Sequence, residues 1–345
     1  MTLIVCGPVG IDEHDGGVHH PEQQGRLFAV MDGVRALGLG DDVVYPEVAE
    51  ASVDDLGRVH ERSYLAELEA FCAEGGGAID PDTYARADSW TAARRAAGAG
   101  LAGLAELEHR GEGVAFVAVR PPGHHATGDR AMGFCLLNNI AVAAASLTAR
   151  GQRVLIVDWD VHHGNGTQAI FWDDPDVLYV STHQHPLYPG TGATTEVGGP
   201  AAPGLTVNLP VPRGATGDVL RAGIDEEARP RIEEFAPDWV LVSCGFDAHA
   251  DDPLAELELS SGDFAELARV VREFAPRPGR LALFLEGGYN PTSLSTSVEA
   301  TLGALLNLSG HDQPRTSGGP GMAQLRQGRN ERLHAVDEVH LRAGQ

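Results

Sequence analysis

The sequence predicts a single-domain α/β fold with a mostly parallel central sheet of about eight strands, helices on both faces, and a site at the carboxyl ends of the strands. Three observations predict it. Short runs of Val, Leu and Ile alternate with helical stretches, the runs are apolar almost throughout, and polar segments follow five of them. The strand segments are "TLIVCG", "DVVYP", "VAFVAVR", "RVLIVDWD", "VLYVSTH", "GLTVNLP", "DWVLVSCG" and "RLALFLEGG". Helical periodicity falls over residues 24–37, 63–73, 89–108, 139–150, 217–235, 261–274 and 292–308. A Gly, Pro and Ser stretch near 309–321 precedes a helix over 322–341. Residues 1–310 are thus expected to form the domain, and 311–345 a loop and peripheral helix packed on it or trailing it.

Composition narrows the function classes. A chain of 345 residues that is 43% hydrophobic can bury a large core. No apolar run reaches membrane-spanning length, and "MTLIVCGPVG" reads as a first buried strand rather than a secretory signal, so a cytoplasmic protein with no membrane partner is expected. Cys6, Cys72, Cys135 and Cys244 show no CxxC spacing and read as reduced core residues. The formal charge is −24 and every Lys or Arg position is Arg, a surface that repels nucleic acid. Such a surface suits solubility in a salty cytoplasm or a biased genome, and it would also attract a cationic substrate. Assembly into a homo-oligomer is left open.

The polar segments "RPPGHH", "DWDVHHGNG", "STHQHPLYPGTG", "GFDAHADDP" and "EGGYN" each follow a predicted strand, at the edge where open α/β sheets bind ligands. Asp158, Asp160 and His162 share parity, so an extended backbone would turn all three toward one place. Asp160 and His162 offer donors that zinc accepts, and Asp247, at the end of another strand, is the best third. Two carboxylates and one imidazole leave a coordination position open, which suits hydrolysis: the metal acidifies a water and polarises a carbonyl. His124 and His125 are then expected to handle protons beside it, and Tyr289, after Gly287 and Gly288, to swing its hydroxyl over the reacting oxygen. His163 has the opposite parity and reads as structural. His20, His185 and His249 read as turn histidines, and Asp251 and Asp252 as loop caps.

With these segments in order, the chain resembles the zinc-dependent histone deacetylase and acetylpolyamine amidohydrolase superfamily, which has an arginase-like fold. The match runs from "HHPEQQGRL" to "EGGYN" through RPPGHHA, GFCLLNN, DWDVHHGNGTQ and GFDA. The resemblance implies zinc on Asp160, His162 and Asp247, although the ligand set also tolerates iron(II). It implies His125 as general base with His124 as its electrostatic partner, and Tyr289 as the group polarising the scissile carbonyl. Asp158 corresponds to the aspartate that bonds the first histidine and helps hold potassium, with Ser181 and backbone carbonyls including that of Thr182. Gly133 and Phe134 resemble one wall of a substrate tunnel, and Tyr188 stands where a facing phenylalanine is usual. Asn165, where class I enzymes carry Asp, indicates a class II-like prokaryotic member and supports the second histidine. Asp82 corresponds to a rim residue that anchors the substrate backbone, Arg26 to the arginine of an inner acetate-exit cavity, and Leu254 to a position overhanging the tunnel mouth.

The expected activity is removal of acetyl groups from ε-N-acetyl-lysine of proteins or peptides. Hydrolysis of acetylated polyamines or other small amides is the alternative. A non-catalytic acyl-lysine binder is a distant third, because a binder has no use for Tyr289 as an oxyanion donor.

Overall fold

The computed structural model describes residues 1–17 and 19–343. Among the described residues ten strands are present: β1 (Leu3–Val9), β2 (Val43–Val44), β3 (Gly76–Ala78), β4 (Tyr84–Arg86), β5 (Val114–Val119), β6 (Val154–Asp158), β7 (Val177–Gln184), β8 (Thr206–Val211), β9 (Trp239–Cys244) and β10 (Leu281–Leu285). Eight form one sheet in the order β2-β1-β5-β10-β9-β6-β7-β8, and every pairing in it is parallel. β3 and β4 pair antiparallel as a separate hairpin.

Both faces of the sheet are buried, and neighbouring strand residues divide between them. Leu3, Val5, Leu155, Val157, Val240 and Val242 pack into one apolar layer with helices Gly25–Ala36, Ser261–Glu273 and Pro291–Leu306. Ile4, Cys6, Ile156 and Leu241 pack into the other with Ser89–Arg110 and Asn139–Thr148. Alternation of side chains along a strand produces this division, and it explains why these strands carry no polar face in the sequence. Each fully buried Val or Leu stabilises the sheet by about 1.5–3 kcal/mol.

The expected helix over 217–235 is interrupted. It consists of α-helical Gly217–Ala222, a π-helical stretch Gly223–Ala228, and α-helical Arg229–Phe235. Pro230 supplies the reason: its missing N–H and its ring disrupt an α-helical bond to the preceding turn, and a wider turn accommodates both. The C-terminal helix Met322–Ala343 lies on β8, the edge strand, with Leu325 and Arg332 buried and an Arg332 guanidinium nitrogen donating to the Asn208 carbonyl at 3.1 Å.

Candidate active site

The five polar loops leave β5, β10, β9, β6 and β7, which are five contiguous strands. One strip of the sheet edge therefore receives all of them. The metal-ligand geometry departs from the parity expectation, because β6 ends at Asp158 and the chain beyond it is no longer extended. A series of side-chain bonds folds it instead. The Asp160 N–H donates to Asp158 Oδ1 at 3.1 Å, and the His162 N–H donates to Asp160 Oδ1 at 2.9 Å. Asp158 consequently faces His124, while Asp160 and His162 turn toward Asp247.

Asp160, His162 and Asp247 each offer a ligand atom within 4.8 Å of the other two. His162 Nδ1 lies 3.1 Å from Asp160 Oδ1 and 3.2 Å from Asp247 Oδ2. Asp247 Oδ2 is buried and receives no hydrogen bond of acceptable geometry. Its other oxygen accepts from the Val161 N–H at 2.9 Å, and Asp160 Oδ2 accepts from the Gly287 N–H at 2.8 Å. Two buried carboxylates beside one imidazole form a donor set that fits a divalent cation, since a buried charge of this kind is costly unless it is compensated. Gly287 serves close approach rather than swing: an atom at its Cβ position would sit 1.9 Å from Asp247 Oδ2.

His124 and His125 have unlike partners. His124 donates from Nδ1 to Asp158 Oδ2 at 3.0 Å, and the same oxygen accepts the Tyr179 hydroxyl at 3.0 Å. Burial works against charge on His124, yet the carboxylates of Asp158, Asp160 and Glu286 outweigh it and push the imidazole up to about 10. His125 donates from Nδ1 to Asn165 Oδ1 at 2.8 Å. Burial and the neighbouring His124 and His162 hold it well below the ordinary imidazole range. The carboxylate beside His124 thus favours its charged form, and the amide and the neighbouring rings around His125 favour its neutral form.

Tyr289 follows Gly288, whose φ is 118°. Its N–H donates to Asp252 Oδ2 at 2.7 Å, and the Arg26 guanidinium lies 4.8 Å from its ring centroid. Burial holds the phenol well above its usual range, so it stays a donor. Arg26 is buried, bonding the Gly288 carbonyl at 2.7 Å and Glu22 at 3.0 Å. Phe134, next to Gly133, meets Tyr289 edge-on at 5.8 Å, while Tyr188 meets His125 at 5.2 Å and His162 at 6.3 Å. Two aromatic rings thus flank the site. Asp82 lies on the β3–β4 turn, accepting the Thr83 hydroxyl at 3.0 Å, and Thr83 in turn accepts from the Phe134 N–H at 3.2 Å. Leu254 is half-buried, and its N–H donates to the second oxygen of Asp252 at 3.0 Å. Ser181 pairs in register with Asp158 across β6 and β7, and the Thr182 hydroxyl lies 3.5 Å from the Asp158 carbonyl.

Residues 20–305 match the histone deacetylase domain family. The chain belongs to the histone deacetylase family. It is 41% identical to rice "Histone deacetylase 10, chloroplastic" over 83% of this chain and 70% of that protein. It is 38% identical to the "Histone deacetylase-like amidohydrolase" of Pseudomonas aeruginosa, over 84% of this chain and 77% of that one. A "Probable deacetylase" of Archaeoglobus fulgidus is also 38% identical, over 87% of this chain and 84% of its own length. The crystal structure of the HDA15 HD domain superposes with a TM-score of 0.89 at 33% identity, covering 99% of each chain. The fold is therefore the histone deacetylase fold, and the activity belongs to the deacetylase and amidohydrolase class. Among the described residues, no helix is long and apolar enough to cross a membrane.

Three residues behind this histone deacetylase site escape the sequence reading as functional groups. Glu286 is fully buried, and its Oε2 accepts from the N–H groups of Gly123 at 2.7 Å and His124 at 3.1 Å, so it suspends the two-histidine loop. Burial, with Asp158 and Asp160 nearby, pushes it up to about 7. Asp252, expected only to cap its loop, carries both Tyr289 and Leu254. Tyr179 braces Asp158. Glu286 left a signal in the sequence, an acid directly after the apolar run of a buried strand; the other two became visible only once distant segments met. His163 is buried, bonded to Thr191 at 2.8 Å and Gln168 at 2.9 Å. His20 reaches the rim, bonding the Asp82 carbonyl at 3.0 Å and meeting Phe134 edge-on at 4.7 Å.

Proposed function

We propose that this chain is a zinc-dependent deacetylase acting on ε-N-acetyl-lysine in peptides or proteins. The observation that carries the reading is the three-ligand cluster beside two adjacent imidazoles with unlike partners, a carboxylate for His124 and an amide for His125. Asp160, His162 and Asp247 would hold the metal, with iron(II) as the other ion this donor set accepts. When bound, such an ion supplies a Lewis acid that polarises the amide carbonyl and acidifies water.

The chain's own groups then divide the remaining work. His125, neutral at Nε2, takes the proton of the attacking water. His124, held positive against Asp158, stabilises the negative charge that builds up beside it. Tyr289 donates its hydroxyl to the carbonyl oxygen as that oxygen becomes anionic. The C–O bond forms, the C–N bond breaks, and the proton returns to the leaving nitrogen, giving acetate and a free amine. Phe134 and Tyr188 flank the alkyl stem, with Gly133 beside them leaving room. Asp82 would anchor the substrate at the rim, and Arg26 would line the inner cavity that acetate enters. Asp158, Ser181 and Thr182 would hold potassium. The His183 Nε2–H donates to the Gly192 carbonyl at 3.0 Å, so His183 Nδ1 accepts the Ser181 hydroxyl proton and leaves the serine oxygen's lone pairs for a cation. A cytoplasmic setting completes the reading.

Acetylated polyamines are the second reading, favoured by the carboxylates of Asp80 and Asp82 near Tyr188 and by the net charge of −24. Acetate release from an acetyl-lysine peptide and from N-acetylputrescine, measured with enzyme of defined metal content, tests both. One zinc per chain, lost in Asp247→Asn, and a higher kcat/KM on the peptide are expected. No acetate from either substrate would reject the function.

A further inference from the structure

The loop that follows β7 carries Tyr188, and it rests on two buried imidazoles, His163 and His183, to which no step of the reaction above is assigned. Their partners fix their protons. Glu196 Oε2 accepts from Gln168 Nε2 at 2.5 Å, which orients the Gln168 amide so that Oε1 faces His163 Nε2 at 2.9 Å. Asn208 Nδ2 donates to the same Oε1 at 2.7 Å. His163 therefore carries its proton on Nε2, and its Nδ1 accepts the Thr191 hydroxyl at 2.8 Å. His183 Nε2 donates to the Gly192 carbonyl, and the two rings lie 4.8 Å apart, centroid to centroid. Gly192, at φ 88°, lies directly against both: an atom at its Cβ position would stand 2.5 Å from His183 Nε2 and 2.7 Å from His163 Cγ. Glu196 adds two more ties, accepting the N–H groups of Gly192 and Ala193 at 3.2 Å each.

Thr191 thus directly follows a short turn, residues 187–190, that carries Tyr188. The Gly190 N–H donates to the Leu187 carbonyl at 2.9 Å and closes that turn, so displacement of Thr191 carries Tyr188 with it. Tyr188 has little else to hold it, being 37% exposed with its ring edge-on to His125 and His162.

The geometry points to Thr191 as a positioning residue that sets substrate specificity, its hydroxyl fixing through His163 the distance at which Tyr188 stands against the stem of the acetylated amine. This role rests on the deacetylase reading. Thr191 itself is exposed, so its replacement leaves the core intact.

Four variants test it: Thr191→Val, which replaces the hydroxyl with a methyl; Thr191→Ser, which keeps it; Tyr188→Ala; and Tyr188→Ala with Thr191→Val. Each is assayed for kcat and KM on an acetyl-lysine peptide and for amide hydrogen exchange across residues 186–195. Thr191→Val is expected to raise KM about three- to tenfold, the scale of one lost hydrogen bond, with kcat within about twofold. Exchange at Gly192 and Ala193 should accelerate, and Thr191→Ser should restore both readouts. In the Tyr188→Ala background Thr191→Val should add nothing to KM, because the hydroxyl acts through that ring. Active enzyme in which Thr191→Val leaves KM and exchange unchanged, or adds its full effect without Tyr188, would overturn this role alone. Wild type inactive on every acetylated amine would remove the deacetylase reading and the specificity role together.

Discussion

His125 Nδ1 lies 2.8 Å from Asn165 Oδ1, so this ring of the histidine pair is oriented by a neutral amide. A carboxylate at that position would stabilise the imidazolium form. Asn165→Asp should therefore raise the His125 pKa and move the acid limb of the kcat/KM–pH profile upward by about one to two units, because the base must be unprotonated to act. An acid limb that stays in place would assign the base to another group.

Tyr289→Phe should lower kcat by about 10²–10³ and leave KM nearly unchanged, the signature of a donor needed when charge develops on oxygen. Phenylalanine retains the stacking on Arg26, so the loop should keep its place. Steady-state kinetics with a thermal melt would separate the two effects. A kcat near that of wild type would remove the phenol from the chemistry.

Leu254 and Tyr289 share the carboxylate of Asp252, which holds their backbones in fixed relation. An apolar side chain there suits the alkyl stem of acetyl-lysine, and a carboxylate would attract the second ammonium of a polyamine. Leu254→Glu should shift the ratio of kcat/KM values toward acetylspermidine by several-fold to about a hundredfold. Wild type that already prefers acetylpolyamines to peptides would make the small-amide reading the leading one.

Acid stability follows from His60, which donates from Nδ1 to the Thr127 carbonyl at 2.9 Å and accepts the Asn138 N–H at Nε2, also at 2.9 Å. Burial lowers it from 6.5 to about 4, and a second proton would evict the Asn138 N–H. The unfolded chain binds that proton more readily, so stability is full above about pH 6.5 and falls as the pH drops toward 4, by about 3 kcal/mol for this residue. His14, also lowered to about 4 chiefly by burial, adds in the same direction. Urea titrations between pH 4 and 7 should show a shallower fall for His60→Gln than for wild type, and identical slopes would refute the assignment.

All eight strands of the main sheet were legible in the sequence, because strands buried on both faces must be apolar at successive positions, as in Leu155, Ile156 and Val157. The β3–β4 hairpin was not legible: it is short, begins with two glycines, and buries only Ala85 of its six residues. The π-helical stretch was missed although Pro230 marked it, since helical periodicity alone does not register a widened turn. Asp160, His162 and Asp247 were legible as residue types at strand ends, but the parity argument that gathered the first two with Asp158 failed where β6 stops. Asp252 and Tyr179 act through bonds spanning 37 and 21 residues, and neither distance leaves a local pattern.

The strand order has a consequence for how the chain is born. β10 follows the other seven strands of the sheet in the chain, yet it lies in the middle of that sheet, between β5 and β9. Until residues 281–285 emerge, a nascent chain holds two partial sheets with no strand joining them. Asp160, His162 and Asp247 all belong to the β9-β6-β7-β8 half, whereas His124 and His125 follow β5 in the other. A partly synthesised chain can thus gather the three candidate metal ligands before the rest of the site is in place, and insertion of β10 joins the two halves and brings Tyr289 with it.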